Sequence, residues 1–301
     1  MSIAIISALI SVSFMLKKPS LFPKFFAQNF SEIPAGKVWL NEDSIQTESF
    51  YLCKTEVSNL EYKEFVHYVK LTGDAELLKK VEVDTVNWQE EYSYSRGKPY
   101  TEYYHSHHAY DNFPVVNVNY EAALKYCEWL SNINKATFEK ACPGIKVTYK
   151  LPDHASWKRA ADANHIRAVY SWGGNSLTNA KGCALANYAR IGSENIHFNA
   201  ETSHYEVITD KNKMVYPLQA GNSLADVTAQ VNAFSPNDFG IYNLNGNVAE
   251  MIDKPGIAVG GSWRSPGYDI RNESVIGYEK SDPTIGFRVM AEVIWPENIK
   301  N

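Results

Sequence analysis

Residues 171–236 carry little regular hydrophobic periodicity, at either helical or strand spacing. A compact domain seldom holds so long a stretch without elements of its own, unless the loops are functional or pinned in place, for instance by ions. The chain is therefore expected to form a loop-rich mixed domain of the α+β class. Its 301 residues, 45% hydrophobic and 21% charged, suffice for one large core or two modest ones. No repeat, low-complexity tract or linker interrupts residues 31–295, so one domain is expected there, with a leader at 1–30 and a tail at 296–301.

Three helices can be placed from local signals. Ser58 and Glu61 form a capping-box pattern ahead of Tyr62, Phe65, Val66 and Val69, and Gly73 supplies a stop. Asn119 can cap a second helix whose Ala123, Tyr126, Cys127 and Leu130 share a face. Asp153 can cap a third, with Trp157, Ala160 and Ala161 turned inward. Strands are expected at 50–53, 115–118, 146–150, 258–260 and 286–293, the last as one alternating run.

A net charge of -5 and the lack of long Lys/Arg runs speak against nucleic acid as a partner. Residues 3–16 form an apolar run followed by Lys17 and Lys18, shorter than the roughly 20 residues that span a bilayer. The run reads as an export signal or signal anchor, with a misassigned start or a buried N-terminal segment as the alternatives. An exported protein of the periplasm or cell envelope is expected, with residues 3–16 offering a route to membrane association. The four cysteines, Cys53, Cys127, Cys142 and Cys183, show no CxxC spacing, which argues against structural zinc. If the chain is exported, one or two disulfides are allowed, and the sequence cannot pair them.

Ordered blocks along the chain resemble the formylglycine-generating enzyme (sulfatase-modifying factor) family. They are Tyr51-Leu-Cys-Lys-Thr-Glu-Val-Ser-Asn59, Pro114-Val-Val-Asn-Val-Asn-Tyr120, Tyr149-Lys-Leu-Pro-Asp-His-Ala-Ser-Trp157, Ser171-Trp-Gly173, Asn187-Tyr188, Asn243-Leu-Asn-Gly-Asn-Val-Ala-Glu250, Gly260-Gly-Ser-Trp-Arg264 and Gly286-Phe-Arg288. The resemblance implies a loop-rich mixed fold distantly like C-type lectins. Trp88, Tyr100, residues 108–111 and residues 247–251 look more like the variant in Bacteroidetes gliding-motility and type IX secretion proteins. That narrower resemblance implies envelope protein partners.

Catalytic members of the family hold Cu(I) on two cysteine thiolates just after the Gly-Gly-Ser block, and soft thiolates suit that ion. In this chain Ser265 falls at the first position and Asp269 or Ile270, depending on a one-residue gap, at the second. No copper is expected, and the resemblance then implies a non-catalytic binding or structural component. One alternative is a metal-dependent oxidoreductase with a different site, such as iron at His105, His107 and His108 with Asp111. Another is a glycan or peptide receptor using the aromatic loops at 92–110.

Asn243 and Glu250 offer side-chain oxygens, and Asn245-Gly246 favours a turn that can aim the carbonyls of Gly246 and Val248 inward. An all-oxygen set suits Ca2+. The resemblance implies a structural calcium on Asn243, Gly246, Val248 and Glu250, and a second on Asn187, Tyr188 and a downstream Asp210. Arg264 and Arg288 are candidates for binding a carboxylate ligand in the cleft or for pairing with a buried acid.

Overall fold

The helix starts follow the local signals. In the computed structural model, which describes residues 22–88, 94–189, 196–207 and 227–297, the helices are α1 (Lys24–Asn29), α2 (Asn59–Thr72), α3 (Ala75–Val81), α4 (Tyr94–Tyr103), α5 (Tyr120–Ala141) and α6 (His154–Asp162). Ahead of α2, the Ser58 hydroxyl accepts the Glu61 N–H at 3.3 Å while the Glu61 carboxylate accepts the Ser58 N–H at 2.8 Å. Asn119 and Asp153 cap α5 and α6 by accepting the N–H groups of Ala122 and Ser156, each at 2.8 Å. Each cap satisfies a backbone donor that the first helical turn leaves unpaired. Gly73, at φ 74°, closes α2 in the left-handed conformation.

The strands are β1 (Phe30–Ile33), β2 (Gly36–Leu40), β3 (Asp43–Thr47), β4 (Phe50–Cys53), β5 (Lys146–Lys150), β6 (Ile196–Asn199), β7 (His204–Val207), β8 (Ala249–Met251), β9 (Ile257–Val259), β10 (Val275–Gly277), β11 (Ile285–Phe287) and β12 (Met290–Ile294). An antiparallel sheet runs β1-β4-β12-β5, and a second runs β10-β9-β8-β11 with β8 and β11 parallel. The pairs β2-β3 and β6-β7 form separate two-stranded sheets. The stripes of α2 and α5 meet the second sheet in one core, where Tyr62, Phe65, Tyr126 and Cys127 pack with Met251, Ala258 and Phe287. Trp157, Ala160 and Ala161 of α6 join Leu52, Leu244, Val259 and Met290 in a second cluster.

Several expectations are corrected. Residues 115–118 form no strand: Pro114 makes one isolated bridge to Ser58, and Asn117, at φ 59°, breaks the extended run although Val115, Val116 and Val118 are buried. The run 286–293 is two strands in two sheets, parted at Arg288 and Val289. The packed domain begins before residue 31, since Phe22 and Phe26 are buried against Tyr51 and Phe138. All four cysteines are free thiols.

The expected aromatic loop is in part α4 and in part buried wall. Tyr104 is fully buried among Trp88, Val116 and Val248, and its hydroxyl donates to the Pro114 carbonyl at 2.7 Å. Its ring therefore faces no ligand, and Tyr92 lies outside the described residues. The apolar run 3–16 and residues 298–301 also lie outside them. Among the described residues no helix is long and apolar enough to cross a membrane.

Candidate functional site

The 243–250 block is buried along its whole length, and its alternating asparagines reach different loops. Asn243 donates to the Glu56 carboxyl at 3.3 Å and to the Gln230 carbonyl at 3.2 Å. Asn245 accepts the Ser171 N–H at 2.7 Å and donates to the Ile270 carbonyl at 2.7 Å and to Asn272 at 2.9 Å. Asn272 in turn donates to Asp162, which forms a buried ion pair with Lys158 on α6. Asn247 donates to Glu56 at 2.8 Å, while its side-chain oxygen accepts from Ala229 and from Asn187. Asn243 and Asn247 stand at φ 53° and 61°, a region that asparagine tolerates better than most residues. Apart from Asn243 Oδ1, these buried amides are satisfied, and they tie loops that lack strands of their own.

Glu250, at the end of the block, is fully buried on β8. Its carboxylate accepts from Arg288 Nη2 at 2.6 Å, from Arg288 Nε at 2.9 and 3.1 Å, and from Trp157 Nε1 at 2.7 Å. The rest of the Arg288 guanidinium donates to the carbonyls of Cys53, Lys54 and Tyr242 at 2.8–3.0 Å. Arg288 is itself fully buried, so of its two expected roles it fills the pairing with a buried acid and not the binding of a cleft ligand. Burial alone would lower its pKa, but Glu250 and Glu56 outweigh it and raise the value.

These contacts also test the calcium set. Asn243 Oδ1 is a buried oxygen without a partner, as a ligand would be. The Glu250 carboxylate is instead committed to a guanidinium and an indole, and a divalent cation there would lie against a fixed positive charge. Asn243, Gly246, Val248 and Glu250 therefore do not fit as one calcium cage. For the second set, Asn187 donates to the Val227 carbonyl at 2.8 Å and its own carbonyl accepts Asn247 N–H. Tyr188 is half-buried beside it, and Asp210 lies outside the described residues.

Sequence reading missed Glu56. It is fully buried, and one guanidinium between two acids can neutralise only one of them. Burial first, then the charge of Glu250, pushes the Glu56 pKa up to about 8, against the pull of Arg288 and Asn247. The stability linked to this proton is fully present below the ordinary carboxylate value of 4.5 and is lost as pH rises through about 8. Burial lowers the pKa of His105 and His154, so their charge-linked effects fall below pH 6.5. In urea titrations the wild type is expected to lose up to about 1.4 kcal/mol per pH unit between pH 6.5 and 8. Glu56→Gln, which mimics the protonated acid, is expected to flatten that slope; equal slopes in the two proteins would refute the buried proton.

The segment after Gly260-Gly-Ser has the chemistry of hydroxyls. Ser265 Oγ accepts the Ser262 N–H at 3.0 Å and lies 3.3 Å from Ser262 Oγ. Asp269 is exposed on a short 3-10 turn, Gly267–Ile270, whereas Ile270 is fully buried. Of the two alternatives for the second thiolate position, Ile270 is thus the one inside the fold, and it is a hydrocarbon. Arg264 is half-buried, its guanidinium 5.8 Å from the Trp263 ring centre.

The three histidines do not converge. His107 Nδ1 caps the Ala109 N–H and its ring pairs with that of His108, while His105 faces Asn59. Asp111 pairs with Lys63. Among the described residues no group of three or more His, Cys, Asp or Glu is placed to hold a metal ion.

Comparison with known proteins agrees with this architecture. The sulfatase-modifying factor enzyme 1-like domain matches residues 24–293. A formylglycine-generating enzyme from Thermomonospora curvata is 30% identical over 139 residues, which are 46% of this chain and 32% of that protein. The match thus spans about a third of that relative's length. Among solved structures, CarF is similar at a TM-score of 0.53 and 15% identity, over 88% of this chain and 98% of that one. PvdO from Pseudomonas aeruginosa is similar at 0.51 and 18%, over 87% and 94%. Treponema denticola variable protein 1 is similar at 0.51 and 17%, over 89% and 95%. At these identities the likeness shows the fold.

Proposed function

The chain belongs to the family of sulfatase-modifying factor enzyme 1-like domains, and from that premise we propose a non-catalytic member that serves as a binding or structural component of a bacterial envelope assembly. The observation that carries the reading is the Ser262–Ser265 hydrogen bond together with the buried Ile270, at the positions where copper chemistry in the family needs two thiolates. A hydroxyl and a hydrocarbon cannot replace soft ligands for Cu(I). The three buried cysteines lie elsewhere: burial raises the thiol pKa of Cys53 to about 11 and of Cys127 to about 12, which disfavours the thiolate a metal would bind. The 243–250 block meanwhile keeps a structural task, holding loops against the core.

The envelope half of the proposal rests on the apolar run at 3–16 and on the likeness of Trp88, Tyr100 and residues 108–111 to gliding-motility and type IX secretion variants. Trp88 and Tyr100 pack together at 5.1 Å between ring centres, so they bear on the shape of the domain more than on a binding surface.

The direct test is an anaerobic Cu(I) titration of the full chain, followed by oxygen uptake with a cysteine-containing sulfatase peptide. No stoichiometric copper and no uptake are expected, and dialysis against EGTA is expected to leave the melting temperature unchanged. One copper per chain with oxygen consumption would sink the non-catalytic reading. Recovery of the native protein in the soluble cytosolic fraction would sink the envelope half.

A further inference from the structure

One face of α2 borders a cavity of about 390 Å³ that the 243–250 hub does not touch. Its apolar walls are Tyr62 and Val66 of α2, Val83 after α3, and Val115, and the remaining lining residues are polar or charged. This volume lies in the range of small-molecule sites.

A buried polar atom on this wall that lacks a partner is Nε2 of His105. Asn59 donates both of its amide hydrogens, to the carbonyls of Tyr104 at 3.1 Å and Tyr110 at 3.0 Å. Its Oδ1 is thereby fixed toward His105 Nδ1, 3.2 Å away, and an oxygen there requires that Nδ1 carry the proton. Nε2 is then a bare lone pair, and it is buried without a partner. Burial, followed by the charge of Lys63, pushes the His105 pKa down to about 3, in keeping with a neutral ring.

The charges around the opening balance. Lys63 is paired with Asp111, while Lys70 and Glu82 both border the cavity with opposite sign. Such a rim neither concentrates anions nor repels them.

The geometry points to a binding site for a small uncharged phenol or alcohol, whose apolar body lies along α2 and whose hydroxyl donates to His105 Nε2. A buried acceptor without a partner is costly, and a ligand hydroxyl removes that cost. Nε2 is closed to bulk water, so a ligand hydroxyl reaches it only as neighbouring side chains shift. The site stands apart from the hub, so its test does not bear on the non-catalytic reading.

The probes are 4-propylphenol and propylbenzene, which differ by the hydroxyl, with nitrogen-15 NMR of the full-length wild type. His105 is expected to show a protonated Nδ1 and a bare Nε2 signal, and 4-propylphenol is expected to shift the latter and saturate below about 10 mM. Propylbenzene is expected to bind at least about ten-fold more weakly, and His105→Phe to erase that preference. A protonated Nε2 in the free protein, equal affinity for the two probes, or no saturation by 4-propylphenol would overturn the proposal. The tautomer and probe comparison use the wild type, so they decide the matter even if His105→Phe fails to fold.

Discussion

Arg288→Leu is expected to cost about 3–5 kcal/mol, a large part of the 5–15 kcal/mol that holds a typical domain together. Leucine leaves Glu250 and Glu56 as two buried acids without a cation, and strips donors from the carbonyls of Cys53, Lys54 and Tyr242. It also removes a side-chain link between the two sheets, since the Arg288 guanidinium bridges Glu250 on β8 and the Cys53 carbonyl on β4. Glu250→Gln should be milder. With Glu250 neutral, Glu56 loses the charge that helped raise its pKa and can ionise against Arg288. The pH slope assigned to Glu56 between pH 6.5 and 8 should then shrink in Glu250→Gln as well. Urea midpoints of both variants across that pH range provide the check. If Arg288→Leu shifts the midpoint by the equivalent of less than about 1 kcal/mol, the pair does not hold the fold.

Gly246→Ala is expected to be the second most damaging change. Gly246 has φ 75°, and a Cβ there would lie 2.2 Å from the Asn187 carbonyl oxygen, a backbone atom that cannot swing aside. That same oxygen accepts the Asn247 N–H at 2.8 Å, so relieving the clash would pull apart a tether of the hub. Left-handed strain costs about 1–2 kcal/mol, and an orphaned buried amide adds about 1–3 kcal/mol. Gly73→Ala is the control: it has φ 74° at the end of α2, with no atom within 4 Å of an added Cβ. Melting curves should show a loss in Gly246→Ala at least about twice that in Gly73→Ala. Equal losses would mean that only backbone strain operates at Gly246.

Much of the fold was legible where its causes are local. A capping box depends on two residues three apart, and an amphipathic stripe on one turn after another, so the starts of α2, α5 and α6 could be read directly. The strands at 50–53 and 146–150 also agree with their pattern. The run 286–293 misled because alternation records which face is buried and does not say against which sheet. Residues 115–118 misled because a buried apolar run can be satisfied without a ladder when an asparagine such as Asn117 turns the chain. The histidine cluster could not be resolved from the sequence because nearness along the chain fixes neither ring direction nor burial: His107 caps a turn while His105 faces Asn59.

The sequence by itself determined that no cysteine follows Cys183, so no folding of the 260–270 segment can place a thiolate of its own at Ser265, Asp269 or Ile270. Chemical identity does not depend on conformation. Only the tertiary structure decided what Glu250 does. Read along the chain, it was one more oxygen for a calcium ion; in space it meets Arg288 from another strand and Trp157 from α6. The free energy of a buried carboxylate is set by the charges and donors within a few ångströms, and folding alone chooses which residues those are.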